Sequence, residues 1–363
     1  MSDNNLLKTP LYAAHLALKA RMVDFAGWDM PVLYTGILEE ARAVRAGVGL
    51  FDISHMGRIH LEGMGATALL QSLTTNNVEA LKPSEAQYSL LTNPDGGMID
   101  DIIIYRTAEE EYWVVINASN AEKDIDWITQ HMPDSVVLED WSLRTAMIAV
   151  QGPNAPAVVA ELAISPSLKE LKRFQYHQGY LLGASTIFCR TGYTGEDGFE
   201  IIVPAESAEE IWNALVAAGG VPCGLGARDA LRIEAGYPLY GHEIDDTTTP
   251  VEAGLMWVVD LNKPAFTGHE KIRDVKAKGA ATRLVGLTLP SERLVPRQGF
   301  AVYSGDTLVG HVTSGVFSPI RNHGVAMAYI AKEFAKTGTA LQIEIRSKRA
   351  NAVVVPKKNL LQS

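Results

Sequence analysis

Apolar residues recur along this chain with two periods, and the alternation between them sketches the fold. Residues 37–46 repeat on one helical face and are stopped by Gly47 and Gly49, which predicts a short amphipathic helix. Residues 58–61 alternate as a strand, 66–73 as a helix, and 112–116 as a strand, with a two-stranded hairpin around Asp100 between them. A helix over 120–131 follows, with Ser119 and Glu122 at capping-box spacing. The same order then returns. Residues 145–150 read as a strand and 155–162 as a helix. Residues 180–189 are extended with a turn at 183–185, 199–203 form a strand, and 207–218 a helix opened by Ser207 and Glu210 and closed by Gly219-Gly220. A helix over 226–235 ends at Gly236-Tyr237-Pro238. From about residue 281 only short strands remain, at 284–289, 300–303, 308–312, 325–330, 341–345 and 352–355, separated by turns such as Ser304-Gly305-Asp306.

The pattern predicts an α+β protein: two ferredoxin-like lobes with mostly antiparallel sheets, at 1–140 and 141–280, then a β-barrel or jelly-roll domain at 281–363. The N-terminal segment is free to cross to the second lobe. The Lys- and Ala-rich stretch 271–282 reads as the linker to the last domain.

One hairpin breaks the apolar pattern. Asn93-Pro94-Asp95-Gly96-Gly97 is turn chemistry, and the returning strand carries Asp100 and Asp101 inside an apolar run. Strand alternation puts Asp100 with Met98, Ile102 and Ile104, and Asp101 with Ile99, Ile103 and Tyr105. A buried carboxylate costs several kcal/mol without partners. Either one Asp serves a site, or the two are a strand-end pair with one solvated and the other hydrogen-bonded.

Composition narrows the class. With 47% apolar and 20% charged residues the chain is an ordinary globular protein, and its net charge of −10 opposes general attraction to nucleic acid or anionic membranes. Any anionic ligand therefore needs a local basic patch. The start lacks a basic segment followed by an apolar one, and no apolar run approaches a membrane span, which points to a cytoplasmic protein. Cys189 and Cys223 are the only cysteines, so neither a disulfide framework nor a cysteine-based zinc site is expected. Asn117-Ala118-Ser119 fits a glycosylation sequon, read here as chance without a secretory signal. No phosphate-binding loop, zinc-protease or nucleophile-elbow motif occurs, and Gly224-Leu225-Gly226 lacks the third glycine of a dinucleotide fingerprint. His55 reads as a packed or capping residue.

Two further stretches carry chemistry. Residues 190–200 (RTGYTGEDGFE) hold three glycines that let backbone approach a ligand, with Tyr193 and three acids on a tight loop. Glu196 and Asp197 read as solvated surface acids. Glu200, in line with Phe199, Ile201 and Ile202, reads instead as an acceptor for a planar N–H/NH2 edge. In residues 226–236 (GARDALRIEAG), Arg228 and Arg232 share a helix face, each with an acid near enough for a purely structural pair.

Residues 51–57 (FDISHMG), 96–102 (GGMIDDI), 190–200, 226–236 and 248–255 (TTPVEAGL), with 312–315 (VTSG) and Ser318-Pro319, closely resemble the aminomethyltransferase family of the glycine cleavage system, the T-proteins. The resemblance runs over nearly the whole chain in the family's order. It implies a three-domain cloverleaf around a central folate channel. It further implies an enzyme that takes an aminomethyl group from the lipoyl arm of the H-protein and passes the carbon to tetrahydrofolate, releasing ammonia. By motif position Asp100 is the catalytic carboxylate, Glu200 and Arg228 bind the pterin, Tyr193 and Tyr88 line the pocket, and Met56 and Asn117 complete the folate-binding set. Two rival readings share the fold. An iron-sulfur maturation accessory protein would carry a Lys-Gly-Cys-Tyr-x-Gly-Gln-Glu type motif where this chain has Arg190-Thr191-Gly192-Tyr193-Thr194-Gly195-Glu196. The second is another tetrahydrofolate-dependent methyltransferase or demethylase. One departure stands out: family chains commonly end in an aromatic segment with a folate-contacting Tyr, and this one ends at Ser363 after Val355-Pro356-Lys357-Lys358-Asn359 without it.

Overall fold

The structure, a computed structural model, describes residues 6–163, 168, 170–290 and 294–361. The first residues, read above for a leader, and the last two of the divergent tail lie outside them. The chain divides into two compact units: residues 1–70, 78–88 and 102–228 form one, and residues 71–77, 89–101 and 229–363 the other.

Two mostly antiparallel sheets repeat one another in order. The first runs Ala86–Thr92, Met98–Ala108, Glu111–Ile116, Gly57–Glu62, Val137–Asp140. The second runs Tyr176–Leu181, Ala184–Cys189, Gly198–Pro204, Thr145–Gln151, then Gly49–Asp52 and Val221–Pro222. In each, the strand that opens the repeat lies beside the fourth strand of its set, the ferredoxin-like arrangement with an extra edge strand. The place filled in the first sheet by Val137–Asp140 is filled in the second by Gly49–Asp52, which pairs antiparallel with Thr145–Gln151. The N-terminal segment thus completes the second sheet.

The second sheet explains its own alternation. Phe199, Ile201 and Val203 of one strand and Ala146, Ile148 and Val150 of its neighbour share a core with Ala155 and Val159 of the helix Ala155–Leu162 and Ile211, Trp212 and Leu215 of Ala208–Ala217. Because successive strand residues face opposite ways, Glu200 is turned to the face away from those helices. The last six long strands, Thr282–Leu289, Ala301–Ser304, Thr307–Ser318, His323–Ala331, Ala340–Ile345 and Lys348–Val355, close into a barrel around Val285, Leu287, Val312, Ala326, Ile330, Ile343 and Val354. A barrel, rather than a jelly roll, is what forms. Among the described residues no helix is long and apolar enough to cross a membrane.

Three local expectations are corrected. The stretch read as a linker is the helix His269–Lys278, as its Lys, Glu and Ala content favours. Neither capping box forms: 3-10 turns at Ala118–Asn120 and Ala205–Ser207 absorb the serines, and Asn120 and Ser207 begin their helices with no side-chain cap. The turn in the 176–189 hairpin is Leu182-Gly183, both at positive φ, one step earlier than expected.

Candidate active site

The glycine-rich loop is built on Gln151, at the end of the strand Thr145–Gln151. Its fully buried amide donates to the carbonyls of Thr191 and Phe199 at 3.1 and 3.3 Å and accepts from the Thr194 hydroxyl at 2.9 Å. A Cβ at Gly192 would sit 2.0 Å from Gln151 Oε1, and one at Gly198 2.2 Å from the Val150 carbonyl. These glycines therefore serve the loop's close packing on its own strand, where close approach to a ligand was expected. The acids of the loop are paired as well as partly solvated. Arg190 grips Asp197 through Nε and Nη2 at 3.1 and 2.6 Å, and Arg45 meets Glu196 at 2.8 Å. The Arg190 guanidinium and the Gly198 N–H hold the Asp197 carboxyl below its ordinary value, against a smaller upward push from burial.

With its neighbours tied down, Glu200 stands apart. It lies opposite Ala149 and Cys189 in the sheet, 8% exposed. The Thr191 hydroxyl donates to its Oε2 at 2.6 Å, and the Tyr105 phenol lies 3.2 Å from that hydroxyl. Burial keeps the Tyr105 phenol protonated, so the chain Tyr105–Thr191–Glu200 fixes the carboxylate in place. Burial pushes the Glu200 carboxyl up, opposed by the charge of Arg228 and the Thr191 hydrogen bond.

Arg228, on the helix Leu225–Ala235, stacks 4.8 Å over the Tyr193 ring. Burial lowers its guanidinium, while Glu200 and Tyr193 support its charge. No ion pair joins Arg228 and Glu200 among the described residues, and Arg228 Nη1 is sealed from solvent with no hydrogen-bond partner. Such an orphan is costly unless a ligand atom meets it. His55 feels the same guanidinium. Burial first, then Arg228 and Arg58, push its imidazole down to about 3, so it is neutral, packed edge-on to Phe25 at 5.4 Å. That agrees with a packed residue and not a base.

Arg232 behaves differently one turn along. It is bound to Glu243 at 2.8 Å, Asp229 at 2.9 Å and the Ser314 hydroxyl at 2.6 Å, a structural network. Of the two arginines read as equivalent in the sequence, only Arg228 offers an unused donor.

Met56 follows His55 in a turn locked by the buried Arg58, which donates to the carbonyls of Ser54 and Met56 and to the Thr145 hydroxyl. Tyr88 is half-buried on Ala86–Thr92, and Asn117 follows Glu111–Ile116 in extended conformation, its carbonyl accepting from Asn120 N at 3.0 Å. Within this unit Glu200, Arg228 and Tyr193 thus form one group, with His55 within reach of the Arg228 charge. Gln151, Thr191 and Arg58 escaped the sequence reading; Thr191 stands inside a quoted motif, while nothing in the sequence singles out the other two.

Asp100 belongs to the other unit. It is fully buried, whereas Asp101 is half-buried, as strand alternation requires. The start of its strand is clasped by residues 245–248: Met98 N donates to the carbonyls of Asp245 and Thr248, and Asn93 Nδ2 to that of Asp246 at 2.8 Å. A Cβ at Gly97 would lie 1.8 Å from the Asp246 carbonyl, so only glycine fits. The Asp245 carboxylate is occupied by the hydroxyls and N–H groups of Thr247 and Thr248. Tyr240 is held protonated, by burial first and then by Asp246, to which it is hydrogen-bonded, and by Asp100 and Asp245.

Paired α+β sheets of repeated order, a closed barrel and a sealed acid beside an unpaired arginine define a small-molecule enzyme class rather than a structural or nucleic-acid-binding one. Residues 11–263 match the family described as the GCVT N-terminal domain, and residues 282–359 the glycine cleavage T-protein C-terminal barrel domain. An aminomethyltransferase of Chloroherpeton thalassium is 48% identical over 353 residues, covering 96% of this chain and 97% of that one. One of Synechococcus elongatus is 44% identical over 358 residues, 97% and 96% of the two chains. The crystal structure of glycine cleavage system aminomethyltransferase T from Bartonella henselae superposes with a TM-score of 0.92 at 34% identity, covering 99% of each chain. The chain belongs to the glycine cleavage T-protein family, and it is a transferase. The accessory-protein alternative is not favoured by these relatives.

Proposed function

We propose that this enzyme takes the aminomethyl group carried on the lipoyl arm of an H-protein and transfers its carbon to tetrahydrofolate, giving 5,10-methylenetetrahydrofolate, ammonia and the dihydrolipoyl carrier. The observation that carries the folate half is a pair of opposite charges that do not satisfy each other, the buried Glu200 carboxylate and the half-buried Arg228 guanidinium with its sealed, unpartnered Nη1. A pterin presents what each lacks: an N–H/NH2 edge for the carboxylate and a ring carbonyl for the guanidinium. Tyr193 supplies an aromatic face beside them.

Asp100 takes the catalytic role in this reading. Attack by the folate N5 on the methylene carbon, with departure of ammonia and closure through N10, breaks the C–N and C–S bonds and forms two C–N bonds. The two folate N–H protons end on ammonia and on the thiol. Positive charge grows on the carbon and on N5, and a buried carboxylate stabilises it. Holding the reacting atoms together supplies much of the remaining rate. Tyr88, Met56 and Asn117 are assigned to the folate pocket, and the three-domain division at 140 and 280 goes with this reading.

Glu200→Gln keeps the shape but exchanges one acceptor for a donor. Tetrahydrofolate binding, measured by calorimetry, is expected to weaken by about 1.5–3 kcal/mol, roughly tenfold to 150-fold. Unchanged affinity removes Glu200 from the site.

A further inference from the structure

One face of the first sheet carries a side-chain set unrelated to that chemistry. His60 and Glu62 lie two apart on Gly57–Glu62 and so point the same way, and Glu111 on the adjacent strand is the register partner of Glu62. Two carboxylates placed directly opposite repel each other, and strands normally avoid the arrangement. Donor atoms from His60, Glu62 and Glu111 all lie within 4.8 Å of one another. His60 Nε2 is 3.0 Å from Glu111 Oε1. Donors of a tetrahedral ion with bonds of about 2.1 Å stand about 3.4 Å apart, so small rotations suffice to bind one.

The histidine is held for the purpose. It is 9% exposed, wedged between Trp113 and Trp141 at ring separations of 5.4 and 5.5 Å. The third acid of this face, Glu139, opposite His60, is already occupied by Trp141 Nε1 at 2.7 Å and lies 3.7 Å from Arg144. Three donors therefore remain: one imidazole nitrogen, fixed, and two carboxylates, one exposed and one partly so, with the solvent side open for water.

We propose that His60, Glu62 and Glu111 form a zinc-type divalent-cation site that clamps two neighbouring strands of the first sheet. A divalent ion offsets both carboxylates and takes the place of the hydrogen bond between His60 and Glu111. A nitrogen with two carboxylate oxygens suits Zn2+, or Co2+ in its place, better than Mg2+ or Ca2+, which favour all-oxygen sets.

The test is equilibrium dialysis of the metal-stripped full chain against Zn2+ at neutral pH, with the visible absorption of Co2+ as a second readout. The expected result is one bound equivalent, a raised melting temperature, and affinity at least tenfold weaker in both Glu62→Gln and His60→Gln. Glu62 is exposed, so its variant keeps the fold and decides the matter if His60→Gln does not fold. Absence of a bound equivalent, or an equivalent retained undiminished in Glu62→Gln, overturns the site. Because the test reads metal and not transfer, it stands or falls apart from the proposed reaction.

Discussion

At the scale of single residues, burial separates candidates that the sequence left level. Asp100 and Asp101 are neighbours in one apolar run, yet the first is fully buried and the second half-exposed. That difference was legible from alternation, but which of the two serves chemistry was not. Arg228 and Arg232 were equally indistinct, because helical spacing gives both the same face; only the distant partners Glu243 and Ser314 mark Arg232 as structural. Asp100→Asn is expected to lower kcat by roughly 10²- to 10⁴-fold with tetrahydrofolate binding nearly intact, the range for losing a positioned charge or acid-base group. Asp101→Asn, facing the other way, should cost a few-fold at most. A reversed pair of results in steady-state kinetics would assign catalysis to the wrong face of the strand.

Elements were legible where periodicity alone decides and were missed where contacts do. The helices Ile37–Ala46, Ala66–Leu73 and Ala155–Leu162 fall where the apolar pattern put them. Capping failed as a guide because Ser-x-x-Glu specifies a local geometry that a preceding 3-10 turn pre-empts. The loop 190–198 is the instructive case: its glycines were legible as close-approach positions, but the approaching group is the chain's own Gln151, a long-range partner no local pattern reveals. Gly192→Ala should therefore destabilise the fold by about 1–3 kcal/mol through overpacking. Thermal denaturation reads the loss, and Gly36→Ala, where the backbone is extended and the added methyl meets nothing closer than 4.0 Å, is the comparison. Equal melting temperatures for wild type and Gly192→Ala would mean that Gln151 does not hold the loop.

For the whole molecule, the repeated order of strands and helices showed the duplication without any internal identity, since each repeat must bury the same apolar faces. The N-terminal segment was left free to cross to the second lobe, but which strand crosses was not legible: the apolar residues of Gly49–Asp52 fit either sheet, and only register with Thr145–Gln151 chooses. The divergent tail is likewise settled by packing. Leu360 is fully buried with Ile233, Leu284, Val325 and Tyr329, and the Lys357 amine, lowered to about 8 by burial against the supporting charge of Glu243, donates to the Ala253 carbonyl at 2.9 Å. The most direct test of the account is ammonia release from aminomethyl-loaded H-protein by the wild-type enzyme, with and without tetrahydrofolate. The account predicts release that rises steeply on adding tetrahydrofolate and is matched, mole for mole, by 5,10-methylenetetrahydrofolate; a rate of ammonia release indifferent to tetrahydrofolate would contradict it.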